Sequence, residues 1–234
     1  SSGTLGRYIT THPAVYLFGM FEGEDTQSYM GVTGGHLFNQ DRFQKDQTKA
    51  AFGSRQWEIG QALKPNDLMG IAVGRHEVFG RKLDVFLKKA VREVTVMASV
   101  IEDQPLWENH IAVSSRKDDF GMPLAETKYT VSPDGLALYR ESLVEGEAIL
   151  KAAGAKEVWA SPMGGQHNMG GTIMGANRAS SVTNRYSQTH DIANLLIGGP
   201  GVYPTASSVN STFHLHALAM MSAKYAIQEW SGIV

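Results

Sequence analysis

The stretch Ser132–Ala160 reads SPDGLALYRESLVEGEAILKAAGAKEVWA and predicts a long helix that returns into a strand. It opens with a capping hydroxyl, a proline suited to the first turn and an acid near the positive end of the helix dipole. Gly154 predicts the helix end, and the segment 157–160 (EVWA) returns as a strand. This connection is typical of mixed α/β sheets. Apolar side chains recur at helical spacing at Leu136, Tyr139, Leu143 and Leu150.

Further elements are predicted on both sides of this stretch. Residues 81–92 (RKLDVFLKKAVR) form a short amphipathic helix, and 93–101 (EVTVMASVI) form a buried strand because they are apolar and β-branched. Strands are also predicted at 109–115 (NHIAVSS) and at 194–197 (NLLI). A last helix runs from Thr212 to about Glu229, and its apolar face carries Leu215, Leu218, Met221 and Tyr225.

These elements predict an α+β chain with two zones. Residues 1–160 form a domain with an antiparallel or mixed sheet and flanking helices. Residues 161–234 contain loops, one apolar strand and a final helix. A zone this small buries too little apolar surface to be stable alone, so we expect it to pack on the first zone or on other sequence.

The composition of the 234 residues excludes several classes of protein. A hydrophobic content of 42% with 19% charged residues is typical of a globular chain, and the net charge of −2 gives no reason to expect nucleic acid as a partner. No apolar run reaches the roughly 18 residues of a membrane span. The absence of cysteine excludes disulfides, thiolate zinc sites and a cysteine nucleophile.

His167 heads the segment HNMGGTIMG at 167–175, with glycines on both sides. Glycines let a backbone pass close to a ligand, and an imidazole that titrates near neutrality can accept a hydroxyl proton when an alcohol is oxidised. The alternative is a loop histidine that only hydrogen-bonds a neighbour. Both interpretations are open from the residues alone.

Asn210 follows the glycine-rich turn Gly198–Gly201 within GGPGVYPTASSVNST at 198–212. Its amide can hold a substrate oxygen, or it can cap the helix that starts beside it. The turn can approach a cofactor or can serve only as a tight connection.

A metal site is the weaker alternative. His214 and His216 have the H-x-H spacing, but side chains two residues apart on a helix point about 200° apart. We therefore expect no metal.

These segments resemble the glucose-methanol-choline (GMC) oxidoreductases, FAD-dependent enzymes that oxidise alcohols and sugars, and within them the sugar dehydrogenases of gluconate-dehydrogenase type and pyranose oxidase. HNMGGTIMG is similar to the family's H-x-x-G-T-x-x-M-G. The segment 194–212 is similar to the family's closing segment, in which the second active-site residue is His or Asn. Residues 6–13 (GRYITTHP) are similar to its G-R-x-L-x-x-H-P, and ALAMMSAKYAI at 217–227 is similar to its terminal helix.

The resemblance implies a mechanism and a cofactor. Flavin would take a hydride from the carbinol carbon, His167 would take the hydroxyl proton, and Asn210 would orient the oxygen. The FAD would lie along Gly199, Pro200 and Gly201 and against the backbone of Asn210, Ser211 and Thr212. The resemblance assigns 1–160 to the substrate-binding domain, and the strand and helix of 161–234 to a Rossmann-like FAD domain.

Three departures qualify this resemblance. Pro200 has no N–H to donate to the pyrophosphate, and Ser211 stands where the family has proline. The third is that no G-x-G-x-x-G for the ADP half of FAD occurs. We therefore expect a C-terminal portion that lacks its N-terminal FAD-binding half, does not retain FAD and is inactive alone.

The resemblance also bears on substrate and partners. The expected substrate is a sugar, sugar acid or polyol, and an electron-acceptor subunit is a possible partner. Only the resemblance favours a periplasmic or membrane-associated setting. The rival function is a non-catalytic carbohydrate-binding or scaffolding module with the same fold.

Overall fold

The computed structural model describes residues 2–32, 35, 37–44, 51–60, 63, 64 and 66–233. The fold is α+β with antiparallel strand pairing, as predicted. The strands are β1 Thr10–Met20, β2 Leu37–Arg42, β3 Arg55–Ile59, β4 Val94–Ile101, β5 His110–Lys117, β6 Pro123–Lys128, β7 Glu157–Ala160 and β8 Gly164–Met169. The helices are α1 Asp67–Ala72, α2 Arg81–Glu93, α3 Pro133–Ala152, α4 Thr212–Gln228 and α5 Trp230–Ile233, with a 3-10 turn at Pro200–Val202.

The strands form two sheets. In the larger sheet the order is β2-β3-β4-β1-β7, and β8 also pairs with β1. The smaller sheet is the hairpin β5-β6, in which Ile111 is opposite Thr127 and Val113 is opposite Ala125. None of the described helices is long and apolar enough to cross a membrane.

The described chain divides into two compact units that are each assembled from separate stretches. The first unit comprises 1–12, 102–133 and 166–234, and the second comprises 13–101 and 134–165. The division into compact units does not show which residues bind substrate and which bind cofactor. The functional division into 1–160 and 161–234 therefore stays a prediction.

The second unit contains the main apolar core. Strand β4 is buried almost throughout, since β1 and β3 pair along its two edges and its side chains lie in apolar clusters. Helix α2 buries Phe86 and Ala90 in a cluster with strand residues Phe18 and Val96. The predictions of a buried strand at 93–101 and of an amphipathic helix at 81–92 are confirmed.

Helix α3 confirms the helix predicted after Ser132, but its buried face is made largely of small residues. Of the predicted apolar stripe, only Leu150 is buried. A Cβ added at Gly146 would lie 2.4 Å from Leu17 Cδ1 and 2.8 Å from Trp57 Cη2. The helix therefore approaches the sheet closely at glycine, which an apolar periodicity does not detect. The buried residues are Gly135, Leu138, Ser142, Gly146 and Leu150.

Two predictions for 161–234 are wrong. The stretch 194–197 is not a strand: it makes one isolated bridge, between Leu196 and Gln188, because no continuous neighbouring strand fills its backbone hydrogen bonds. Conversely, His167 lies on a strand, β8, rather than in a loop. Pairing with β1 outweighs the low strand propensity of its glycines.

Helix α4 is confirmed where it was predicted, within one residue at its C-terminal end. Its predicted apolar face is half-buried, and no residue of the helix is fully buried. On the same half-buried side, Tyr225 stacks on Tyr186 with ring centroids 4.2 Å apart, and its hydroxyl donates to Gln188 at 3.0 Å. The helix is thereby anchored within the first unit.

Candidate active site

His167 has an exposed side chain on a strained backbone. Its φ is +58, in the left-handed region that residues other than glycine rarely adopt. Such a conformation costs of order 1–3 kcal/mol and is concentrated at functional sites. An exposed, strained histidine contributes little to packing, so the position favours a role toward a ligand.

The neighbour of His167 is His12, which lies on the paired strand β1. The two Nδ1 atoms are 3.0 Å apart, and the rings meet edge to face with centroids 5.1 Å apart. His12 is fully buried, whereas His167 is exposed. Because the two Nδ1 atoms face each other, one must donate the hydrogen and the other must accept it. In the sequence, the only sign of a role for His12 is its place in the segment 6–13.

Burial lowers the pKa of His12 from 6.5 to about 4, and the adjacent His167 acts in the same direction. A contact with the backbone of Ser207 raises the pKa and partly opposes this shift. His12 is therefore neutral at neutral pH and has a lone pair to offer. The contact with Ser207 also brings the segment before Asn210 to this pair of histidines.

We expect acid to destabilise the protein through His12. Between pH 6.5 and about 4 the unfolded chain binds a proton at this position that the folded chain does not, so stability falls as the pH is lowered through this window. The loss reaches about 3 kcal/mol at the lower end. Urea unfolding of the wild type and of His12→Asn at pH 7, 5.5 and 4.5 measures it. The variant should lose less stability, and parallel pH dependence in the two proteins would contradict the expectation.

Backbone hydrogen bonds join the segment after His167 to the glycine-rich turn before α4. Alternate N–H groups of 170–174 donate to consecutive carbonyls of 200–202. The segments that carry the two predicted catalytic residues are therefore neighbours in the first unit. The bonds run from Gly170 to Pro200 at 3.2 Å, from Thr172 to Gly201 at 3.0 Å and from Met174 to Val202 at 2.8 Å.

The same segment also contacts the start of the chain. Gly6 N–H donates to the Gly171 carbonyl at 2.7 Å, and Gly171 N–H donates to the Arg7 carbonyl at 2.9 Å. Gly170 has a φ of +84, and a Cβ there would lie 2.1 Å from the Tyr8 carbonyl oxygen. The close approach of two backbones therefore requires glycine at 170.

The three turn residues predicted to bind cofactor have different surroundings. A Cβ at Gly199 would meet nothing within 4 Å, so this side of the turn is open. A Cβ at Gly201 would lie 2.8 Å from Thr172 Oγ1, so this glycine is needed for packing against 170–174. The Pro200 carbonyl accepts the N–H groups of Gly170 and Tyr203. Of the three residues, Gly199 leaves the most room for a ligand.

Asn210, Ser211 and Thr212 lie where the chain enters α4. Ser211 is the N-cap residue and Asn210 precedes it, so the capping position predicted for Asn210 belongs to its neighbour. The Ser211 side chain makes no capping hydrogen bond, and Asn210 is exposed. The N-terminal N–H groups of this 17-residue helix thus present a positive dipole end that the Ser211 hydroxyl does not cap.

A cavity of about 750 Å³ lies beside these segments in the first unit. Its volume is in the range of ligand sites. Arg7 at its edge stacks over Trp107 at 4.7 Å and donates to the Trp107 carbonyl at 3.3 Å. No local sequence pattern predicts this cavity, because its wall is formed by the β5-β6 hairpin, which is distant in sequence. Its lining includes Ile9, Ile111, Val113, Leu124, Gly171 and Gly201.

His214 and His216 are exposed on α4. Within the part of the chain that the structure describes, no three His, Asp or Glu side chains are grouped so that they could hold a metal ion.

The chain is similar to several known oxidoreductases. It is 25% identical over 240 aligned positions to 2-methyl-1,2-propanediol dehydrogenase of Mycolicibacterium austroafricanum, covering 100% of this chain and 44% of that protein. It is 25% identical over 229 positions to the fructose dehydrogenase large subunit of Gluconobacter japonicus, covering 95% of this chain and 41% of that protein. A segment of 63 residues is 40% identical to the gluconate 2-dehydrogenase flavoprotein of Pantoea cypripedii, covering 27% of this chain and 10% of that protein.

A solved structure, pyridoxine 4-oxidase from Mesorbium loti, has the same fold over most of the chain. Its TM-score is 0.60 at 12% identity, and the match covers 96% of this chain and 44% of that one. The chain thus spans less than half the length of these relatives. Residues 105–219, which include both His167 and Asn210, match the GMC oxidoreductase family model. Residues 105–219 of this chain are therefore a C-terminal domain of the GMC oxidoreductase type.

Proposed function

We propose that this chain is the C-terminal portion of an FAD-dependent enzyme that oxidises a CH–OH group of a sugar, sugar acid or polyol, with His167 as the base. The main observation in support of the proposal is the environment of the His167 side chain. It is exposed on a strained strand, and its Nδ1 is occupied by a buried histidine that is neutral at neutral pH. Its Nε2 is then the ring nitrogen left to meet a substrate hydroxyl.

The substrate class is inferred from similar proteins. The relatives named above are a diol dehydrogenase, a fructose dehydrogenase and a gluconate dehydrogenase. The named compounds share a hydroxyl group on a small polar molecule. We therefore assign the substrate to the class of sugars, sugar acids and polyols. An electron-acceptor subunit is a further proposal, which rests on the word subunit in the name of the fructose enzyme.

Different residues of this chain have different roles toward the substrate. His167 Nε2 accepts the hydroxyl proton as the carbon–hydrogen bond breaks, so that no separate charged alkoxide is formed. The amide of Asn210 donates to the same oxygen and fixes its direction. The positive end of α4 favours negative charge beside it.

FAD, when bound, would supply the hydride acceptor. The residues fit it at two places. The Ser211 hydroxyl does not cap the N-terminus of α4, and the positive end of this helix suits the pyrimidine edge of a flavin that gains negative charge. The open side of Gly199 allows a chain of atoms to pass close to the backbone. Gly199, Pro200, Gly201, Asn210, Ser211 and Thr212 are the residues that we propose to border it.

A flavin experiment tests this function. The 234-residue chain, mixed with FAD and freed of excess, should be folded and colourless, because no G-x-G-x-x-G is present to hold the ADP half. The longer polypeptide that we propose contains this chain should retain flavin, and anaerobic addition of its sugar or polyol should bleach the flavin absorbance.

Each of these two experiments has an outcome that would contradict the proposal. A flavin retained by the 234 residues alone would contradict the missing FAD-binding half. A flavin-loaded longer protein that binds a sugar but is never reduced by any sugar or polyol would instead support a non-catalytic carbohydrate-binding module.

A further inference from the structure

We propose that His12 is a positioning residue that holds His167 in the tautomer with hydrogen on Nδ1 and a free lone pair on Nε2. The inference deepens the proposed function and rests on His167 being the base. It concerns a residue to which neither the sequence pattern nor the mechanism above gave a task.

The contact geometry allows two arrangements. In one, His167 Nδ1–H donates to His12 Nδ1, and His167 Nε2 is a base. In the other, His12 Nδ1–H donates to His167 Nδ1, which leaves a hydrogen on His167 Nε2 and no base there. A base that has taken up a proton carries hydrogen on both nitrogens. Only the first arrangement keeps the 3.0 Å hydrogen bond before and after proton transfer.

The surroundings of His12 favour the first arrangement. His12 is fully buried and its pKa is low, so it stays neutral and keeps one lone pair beside the exposed ring. The contact with the Ser207 backbone raises the pKa of His12, as a carbonyl does when an imidazole N–H points at it. None of the described residues forms an ordinary hydrogen bond with the buried Nε2 of His12.

The backbone also limits the freedom of His167. Its φ lies in the left-handed region, and its ring meets the ring of His12, which is held by the paired strand β1. A partner fixed by burial can orient the base without moving itself. Second partners of this kind set the tautomer of a functional histidine in many enzymes.

The tautomer of His167 can be read directly by ¹⁵N NMR of the imidazoles in the full 234-residue chain, without flavin or substrate. At pH 7 the wild type should show hydrogen on Nδ1 and none on Nε2. In His12→Asn the amide oxygen can stand near the position of Nδ1 and should preserve this tautomer. In His12→Gln the amide lies one bond further out, so the tautomer should become mixed, as it should in His12→Phe, which has no acceptor.

Two results would overturn the inference: hydrogen on His167 Nε2 in the wild type, or an unchanged tautomer in both His12→Gln and His12→Phe. The two polar variants keep the test informative if the phenylalanine variant does not fold. In the flavin-loaded longer protein, His12→Gln should lower kcat by about 10–100-fold with little change in KM, the loss typical of removing an orienting partner. If the wild type shows the expected tautomer but replacement of His167 does not lower kcat, the proposed function is rejected while the positioning role of His12 stands.

Discussion

Replacing His167 by asparagine is expected to lower kcat by about 10²–10⁴-fold in the flavin-loaded enzyme, because removal of a general base typically costs that much. Asparagine tolerates the left-handed φ of +58 better than most residues, so the variant removes the titratable nitrogen with little added strain. The proton is taken up only as the reaction proceeds, so kcat and kcat/KM should fall together and KM should change little. Steady-state kinetics with an artificial electron acceptor measures both constants.

The control for this experiment is His76→Ala. His76 is an exposed histidine of the second unit, outside the proposed site, and its removal should leave turnover unchanged. His167→Ala provides a second comparison, in which some added backbone strain is expected. Turnover of His167→Asn within a factor of about ten of the wild type would show that another group takes the proton, since the base alone should contribute more.

Replacing Gly170 by alanine is expected to be the most destabilising small change in the site. The new Cβ would lie 2.1 Å from the Tyr8 carbonyl oxygen, and the residue would have to hold a φ of +84. Neither group can move away easily, since both belong to backbones joined by hydrogen bonds through Gly171. Overpacking and backbone strain together predict a loss of about 3 kcal/mol or more.

The matched control is Gly121→Ala. Gly121 has a φ of +79, close to that of Gly170, but its added Cβ would meet nothing within 4 Å. This variant therefore contains the backbone strain without the collision and should lose only about 1–2 kcal/mol. Urea unfolding at pH 7 compares the two. Equal losses would mean that strain alone, and not the close approach to Tyr8, makes glycine necessary at 170.

The local sequence was sufficient to predict a helix where the helix depends mainly on its own residues. Helix α3 begins and ends where its proline and Gly154 predict, and α2 buries the apolar stripe that its spacing predicts. The local sequence was insufficient where a helix packs on the sheet through small residues. Gly146 carries α3 close to Trp57, yet glycine adds nothing to an apolar pattern. The strand expected at 194–197 failed because an apolar run does not supply its own neighbour.

The site shows the same division. The sequence alone identified the segments that contain His167, Gly199 and Asn210, because their residue types and spacing match a family's motifs. It gave no reason to join His12 to His167, since the two are 155 residues apart and meet only through strand pairing.

The types of residue and their local spacing can be read from the sequence, and they were sufficient to indicate the family, the helices and the candidate base. Burial, tautomer and pKa depend on which distant residues surround a group, because hydrogen-bond partners and exclusion of water arise only when separate segments pack together. The tertiary structure alone therefore decided that His12 is buried and neutral, and that it faces the base.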